Sequence, residues 1–594
     1  MAILWKDNEF KIGINMAGAV SAGAYTAGVL DFLTEALEEW QKAKDAFRAH
    51  LSDPGAMPDF NRPVPLHDVS IEAFSGASAG GMCAAIASVM LQSEFEHITD
   101  PNAQSTTNTF YEAWVNQIDI RKLLQSDDVK GGKPLVSLLD STIIDEIAAG
   151  ALKPPANPIS RPYVADRLSI FLTLTNVRGM TYPLYDDGSG QVSEYTTYYG
   201  DRIRFETLRG GAAPSSRDAY GLLIEKPEDA GWKILQESAK STGAFPLFLA
   251  PRTLTRRVAD YQPPIWFPVG SDVPVPLPLP DLPKDVETIQ TLNVDGGVTD
   301  NDPFELVHDY LAASNPLVKT VNGVKHNPRL PQEANCAVIT VAPFPTKDRF
   351  NPDFFAKPMT LFGMLGRLFS ITMSQSRFLG ESLSVLLSGS SFSRFVIAPS
   401  DPGQTDDNAL QCATLSAFGG FMERKFRAHD FLLGRYNCQR FLSTHFMLPV
   451  INPVIDAGMK EAGEYVGSVN ARFVTGPPPG TDATVPATED DNAPATVSVP
   501  KWMPVIPLLG TAAVDMTSPV RQQISKDDVH MIAGLVMERL RAIKDPLLAN
   551  VPAGDLLKAV VNVVTAFERG KVADLLTTQL CPNVEGQQPG DCKK

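Results

Sequence analysis

From Phe10 to Asn15 apolar and polar residues alternate, and a glycine-rich turn then leads into Tyr25 to Trp40, where Val29, Leu30, Leu33 and Leu37 recur at helical spacing. The pattern predicts a strand, a loop and a helix. Val69 to Phe74 predicts a second strand. After it, SGASAGG gives way to MCAAIASVMLQ, whose many small, good helix formers predict a helix packed closely on a sheet. Further apolar runs at Leu168 to Leu174, Thr291 to Val294 and Ala337 to Val341 are bounded by turn residues and separated by helical patterns. Together they predict an α/β fold, a mainly parallel central sheet covered by helices on both faces.

Beyond these units the pattern changes. Prolines at 274, 276, 278 and 280 forbid a central strand between Tyr261 and Asp285 and favour an extended surface insertion. Its Ile265, Trp266 and Phe267 read either as an apolar lid or as part of a rigid loop. Phe354 to Phe395 is helical and apolar, with Arg367 breaking any span. Phe418, Met422, Phe426, Leu433 and Tyr436 continue a helical stripe that Gly434 weakens. The same stretch, Glu423 to Arg440, carries Arg424, Lys425, Arg427, Arg435 and Arg440, and reads as a solvated helix face or as a basic patch for lipid head groups. Gly476 to Pro500 is rich in Pro, Thr, Ala and Asp and reads as a linker-like loop, after which Lys526 to Arg541 and Leu556 to Leu576 predict closing helices. The chain thus divides into an α/β domain over 1–345, a helical extension packed on it over 346–450, and a C-terminal region over 451–594 with the loop at 476–500.

Charge narrows the function. Lys and Arg number 52 against 68 Asp and Glu, a net charge of −16 that repels a phosphate backbone, so no nucleic-acid partner is expected. The six cysteines lie far apart without a C-x-x-C pair, which excludes a zinc ribbon, and Cys581 and Cys592 alone are placed to pair. Asp7 and Glu9 occupy the place where a secretory signal has its apolar stretch. The charge-free stretches Ile12 to Leu30 and Ala73 to Ser93 are too rich in glycine and serine for membrane spans. The expected location is the cytoplasm, with transient contact at a membrane surface.

Candidate chemistry lies in those two charge-free stretches. Gly76-Ala77-Ser78-Ala79-Gly80 fits G-x-S-x-G, in which Gly76 and Gly80 let a strand turn sharply into a helix and leave the Ser78 Oγ exposed at the elbow. The pattern is common, but here a strand precedes it and a helix follows it. A serine hydroxyl needs a base. His308 lies in FELVHDY and His429 in KFRAHDF, both at helical spacing, and no histidine sits in a convincing strand-end loop. A carboxylate is the alternative: Asp295 ends a short strand beside Gly296 and Gly297, which lack Cβ and allow close approach to a neighbouring loop. The same segment also reads as an Asp-Gly turn or an acidic cation loop, although the spacing of Asp295, Asp300 and Asp302 is not that of an EF-hand. Gly18 to Gly23 follows the first strand and opens a helix. It lacks the Lys and Ser or Thr of a P-loop and the G-x-G-x-x-G of a dinucleotide site, which leaves an oxyanion hole or close packing of helix on strand.

Taken in order, these segments resemble the patatin-like phospholipase family: a glycine loop leading into a helix, the Ser78 elbow, Ser241-Thr242-Gly243-Ala244-Phe245-Pro246, and Asp295-Gly296-Gly297 with Asn301 and Pro303 behind it. The resemblance covers residues 10 to 310. It implies a patatin-like fold and a serine–aspartate dyad that hydrolyses acyl esters of lipids. Ser78 would be the nucleophile, Asp295 the base, and the backbone of Gly18, Ala19 and Val20, with Ala79, the oxyanion hole. The family's loop carries Arg or Lys before its last glycine, whereas Ala22 stands here. No cofactor and no metal are implied. The same dyad would also serve an acyltransferase, and a non-catalytic lipid-binding scaffold is the third reading.

Overall fold

The structure, a computed structural model, describes residues 3–56, 61–185, 192–261, 279–282, 285–321, 324–345, 391–404, 408–486, 496–549 and 569–587. The candidate lid with Ile265, Trp266 and Phe267, most of the stretch from Phe354, the start of the expected helix at Leu556, and Cys592 lie outside the described residues.

In chain order the elements that build the site are β1 (Glu9–Met16), α1 (Gly23–Ser52), β2 (Asp68–Gly76), α2 (Ser78–Met90), α3 (Thr142–Ala151), β3 (Val164–Tyr185), β4 (Val192–Leu208) and β5 (Ala219–Leu223). They continue with α4 (Ala230–Thr242), β6 (Arg252–Arg257), β7 (Thr288–Asp295), α5 (Phe304–Ala312), β8 (Cys336–Val341), β9 (Arg394–Ile397), α6 (Arg424–Thr444) and α7 (Lys526–Ala549). The strands form one sheet of nine in the order β9-β8-β1-β2-β3-β4-β5, with β7 added to the far half of β3 and β6 to β7. Pairing is parallel from β9 to β3 and antiparallel where β3 meets β4 and β7. The architecture is therefore mixed α/β, with a mostly parallel central sheet flanked by helices.

The alternation in β1 is real, yet all eight of its residues are buried. Phe10, Ile12, Ile14 and Met16 join the main core. On the other face α5 covers the strand so closely that a Cβ at Gly13 would stand 1.9 Å from Val307 Cγ1. The polar members of that face are paired instead of solvated: Lys11 Nζ lies 2.7 Å from Glu9 and 2.6 Å from Glu72. A strand with helices on both faces has no wet side, so its charges persist only as partners.

One buried cluster runs from Phe10 to Val584 and takes in Trp502, Ile506 and Val529 from the last part of the chain. Several expectations change here. The basic stretch forms α6, in which Lys425 and Arg440 are exposed and Arg424 half-buried, but Arg427 and Arg435 belong to the core instead of a solvated face. Arg427 is fully buried and donates to the carbonyls of Val115 and Gly420, and Arg435 pairs with Asp31 and Glu35 of α1. Gly434, expected to weaken the stripe, lies inside the helix. A Cβ there would stand 2.2 Å from the Tyr25 carbonyl, so its absence lets α6 lie backbone to backbone on α1. In the linker-like loop, Thr484–Pro486 and Thr496–Ser498 pair antiparallel and bury Val485. Arg394–Ile397, the end of the stretch read as helical, is a strand. Cys581 is disulfide-bonded, whereas Cys83, Cys336, Cys412 and Cys438 are buried free thiols. Among the described residues no helix is long and apolar enough to cross a membrane.

Candidate active site

Register brings the candidate residues together. β1 and β2 run parallel with Met16 opposite Gly76, so the glycine loop and the serine elbow leave the sheet at the same edge. Leu172 of β3 pairs with Gly76, and two residues on, Leu174 pairs with Asp295, because β7 enters antiparallel where β2 has ended. The carboxyl ends of the parallel strands thus open into a crevice with Asp295 as its far wall.

Ser78 starts α2 with φ of +52°, a left-handed conformation that costs a serine about 1–3 kcal/mol and that the surrounding packing enforces. The turn is tight enough that a Cβ at Gly80 would stand 2.1 Å from the Met16 carbonyl oxygen. The Ser78 N–H donates to Thr242 Oγ1 at 2.9 Å, which ties the elbow to the end of α4. Ser78 Oγ donates to Asp295 Oδ2 at 2.6 Å. The other carboxylate oxygen, Oδ1, accepts from the Gly297 N–H at 2.8 Å, and the Thr175 hydroxyl donates to the Asp295 carbonyl at 2.8 Å. Asp295 is 1% exposed. Burial raises its pKa to about 7, against the lowering effect of the Ser78 hydroxyl and the Gly297 N–H. A carboxylate poised near neutrality in contact with a serine hydroxyl can accept its proton.

Histidines are engaged elsewhere: His97 bonds Asp31 and Glu38, His429 bonds Asp430, and His67 meets the Val505 carbonyl. Among the described residues no group of three or more His, Cys, Asp or Glu side chains is placed to hold a metal ion.

The glycine loop lies against the serine, with the Cβ position of Gly18 3.2 Å from Ser78 Cβ. Its donors are not equivalent. The Gly18 N–H donates to the Asn301 carbonyl at 3.1 Å, so Gly18 is corrected from an oxyanion donor to a close-approach residue. A Cβ there would fall 2.1 Å from Asn301 Oδ1. Ala19 and Val20 precede or open a short helical turn, and Ala79 is the second residue of α2, where an N–H has no partner within the helix. Val20 has φ of +48°, an outlier for a β-branched side chain. The positive end of α2 adds to the field at Ser78.

Beside the serine opens a cavity of about 670 Å³, its mouth included. Val20, Ser78, Ala79, Met82, Ile86, Trp114, Ile118, Ile144, Ile147, Phe245, Leu249, Phe418 and Phe421 line it. The walls are apolar, so they suit a hydrocarbon chain and give a polar ligand few partners. Thr242, Thr175, Trp114 and Phe418 were not singled out by the sequence as site residues. Thr242 stands in the small-residue stretch before Pro246, where its hydroxyl could have been noticed. Phe418 comes from far along the chain, and no local motif announces it.

No family model matches the chain. An uncharacterized protein, y4iI, of Sinorhizobium fredii (strain NBRC 101917 / NGR234) is 29% identical over 614 residues, spanning 96% of this chain and 81% of that one. The crystal structure of VipD from Legionella pneumophila aligns at 12% identity over 98% of this chain and 93% of its own, with a TM-score of 0.21, too low to bear on the fold.

Proposed function

We propose that this protein has a patatin-like fold and hydrolyses the carboxylic esters of lipids through an acyl-enzyme on Ser78. The observation that carries the reading is the 2.6 Å hydrogen bond from Ser78 Oγ to a buried Asp295 beside an apolar cavity. Asp295 takes the hydroxyl proton as Oγ attacks the ester carbonyl. The carbonyl oxygen becomes an oxyanion opposite the N–H groups of Ala19, Val20 and Ala79, which favour the tetrahedral intermediate over the flat ester. The alkoxide of the alcohol leaves with the proton from Asp295, and the acyl group stays on Ser78. Water then attacks that ester, giving its proton to Asp295, and the fatty acid departs as Oγ recovers the proton. The aliphatic lining of Ile86, Ile118 and Ile147 supports an acyl chain as the occupant of the cavity.

Fatty-acid release from mixed phospholipid vesicles, with Ser78→Ala and Asp295→Asn beside the parent, tests this. Release by the parent and its loss in both variants is the expected result. A parent inactive on vesicles and on a soluble short-chain ester would refute it. An added lysolipid that diverts product from free fatty acid to diacyl lipid would identify acyl transfer by the same dyad.

A further inference from the structure

Leu415, Ser416 and Ala417 stand in the left-handed region, with φ of 53°, 52° and 73°. None is a glycine, and L residues enter this region as isolated cases, so three in a row mark a turn held by its surroundings. The contacts that hold it lead to the candidate active site. The Ala417 carbonyl accepts from the Ser21 N–H at 3.2 Å and also from the Ser21 hydroxyl. Ser21 Oγ in turn accepts from the Gly420 N–H at 3.1 Å. Ser21 is fully buried and follows Val20, whose own φ is +48°. Two segments in left-handed conformations are therefore knotted through one hydroxyl. Past the knot, the Phe418 ring packs on Phe248 with centroids 5.0 Å apart, and Phe418 shares with Val20 the lining of the Ser78 cavity.

We propose that Ser21 is a positioning residue, through which the turn 414–420 holds the Val20 N–H in place for the developing oxyanion. The inference rests on the reading of Ser78 as nucleophile. A valine released from this restraint relaxes to negative φ, and the Ala19–Val20 peptide plane swings with it. The ester in the ground state gains little from that N–H, and the tetrahedral intermediate gains much. Loss of the knot therefore appears in kcat and not in KM. The part of the chain after residue 400 would then complete a site whose reacting groups all lie before residue 300.

The test uses the full chain with Ser21→Ala and, as a second disturbance of the same contact, Gly420→Ala, whose added Cβ would stand 2.3 Å from Cys412 Sγ and 2.6 Å from Ser21 Oγ. The readouts are kcat and KM on p-nitrophenyl butyrate and deuterium exchange of peptides covering 17–22 and 414–420. In both variants kcat is expected to fall by roughly 10²-fold, as on loss of one oxyanion donor, with KM within about threefold. Exchange should quicken in both segments and stay unchanged in α2 and β7, which separates the effect from a loss of folded protein. Unchanged kcat with quickened exchange overturns the positioning role. Unchanged exchange at 17–22 overturns the coupling even if activity falls. A parent that hydrolyses no ester overturns the nucleophile reading, and the catalytic role of Ser21 with it, whatever the exchange shows.

Discussion

Replacing Asp295 with asparagine tests the electrostatics of the dyad without requiring turnover. The carboxyl is 1% exposed, and burial lifts its pKa from 3.8 to about 7 despite the Ser78 and Gly297 hydrogen bonds. Between those two values the folded protein keeps a proton that the unfolded chain has released, so stability falls as pH rises. The contribution is fully present below about pH 4 and is gone once pH has passed about 7. At about 1.4 kcal/mol for each tenfold change in proton affinity, roughly 3 kcal/mol is lost between about pH 4.5 and pH 8. Asparagine keeps the shape without the charge, and its amide can donate to Ser78 Oγ, so the variant escapes the loss. With an unfolding entropy near 2.1 cal/mol/K per residue, 3 kcal/mol corresponds to about 2–3 °C for a chain of 594 residues. Differential scanning calorimetry of parent and Asp295→Asn at the two pH values is the assay. The variant should gain about 2–3 °C on the parent in going from the lower pH to the higher. An equal difference at both, or one that shrinks at pH 8, would refute the argument that a buried, ionised carboxylate stands beside Ser78.

Three further outcomes follow from the same geometry. Because the base must be ionised, kcat/KM on a soluble ester should rise with pH and level off above an inflection near 7, and a profile that falls through 7 would contradict Asp295 as base. Gly80→Ala would set a Cβ 2.1 Å from the Met16 carbonyl, backbone that cannot yield, and should cost about 3 kcal/mol or leave the protein insoluble; a melting temperature within a degree of the parent would show that the elbow has room. Arg435→Ala leaves Asp31 and Glu35 without their shared cation inside the α1–α6 contact and should cost about 3–5 kcal/mol in denaturant unfolding. His97, although burial pushes its pKa down, is held at about 9 by Asp31 and Glu38 and so stays charged from pH 5 to pH 8, whereas the carboxylates freed of Arg435 take up protons on acidification. The cost should therefore be smaller at pH 5 than at pH 8, and a larger cost at pH 5 would refute the pairing.

Short-range sterics explain why parts of the site are legible in the chain alone. The turn from β2 into α2 needs residues without Cβ at 76 and 80, where the backbones of Gly80 and Met16 come into contact, and the need is written locally as G-x-S-x-G. Asp295 is visible for a similar reason, since a strand that ends beside two glycines can approach another loop. The apolar runs of β1, β2, β3 and β8 likewise mark the sheet, because strands covered on both faces carry few unpaired polar residues, whereas β7 alternates exposed and buried positions.

What only the tertiary structure decided depends on partners far away in sequence. Asp295 is the base candidate because β7 continues the sheet past the end of β2, a register that neither strand encodes by itself. The arginines of α6 look like a wet face in isolation. Packing turns Arg435 into a buried partner of Asp31 and Glu35 on α1 and Arg427 into a donor to backbone carbonyls, since a buried guanidinium persists only beside groups that compensate its charge. Gly18 loses its expected donor to Asn301, and Ser21 acquires Ala417 and Gly420, through hydrogen bonds whose two ends share no local pattern. Residue spacing determines which backbone shapes are possible at 18, 78 and 295. Which donors remain free at those shapes is settled by the neighbours that the folded chain brings to them.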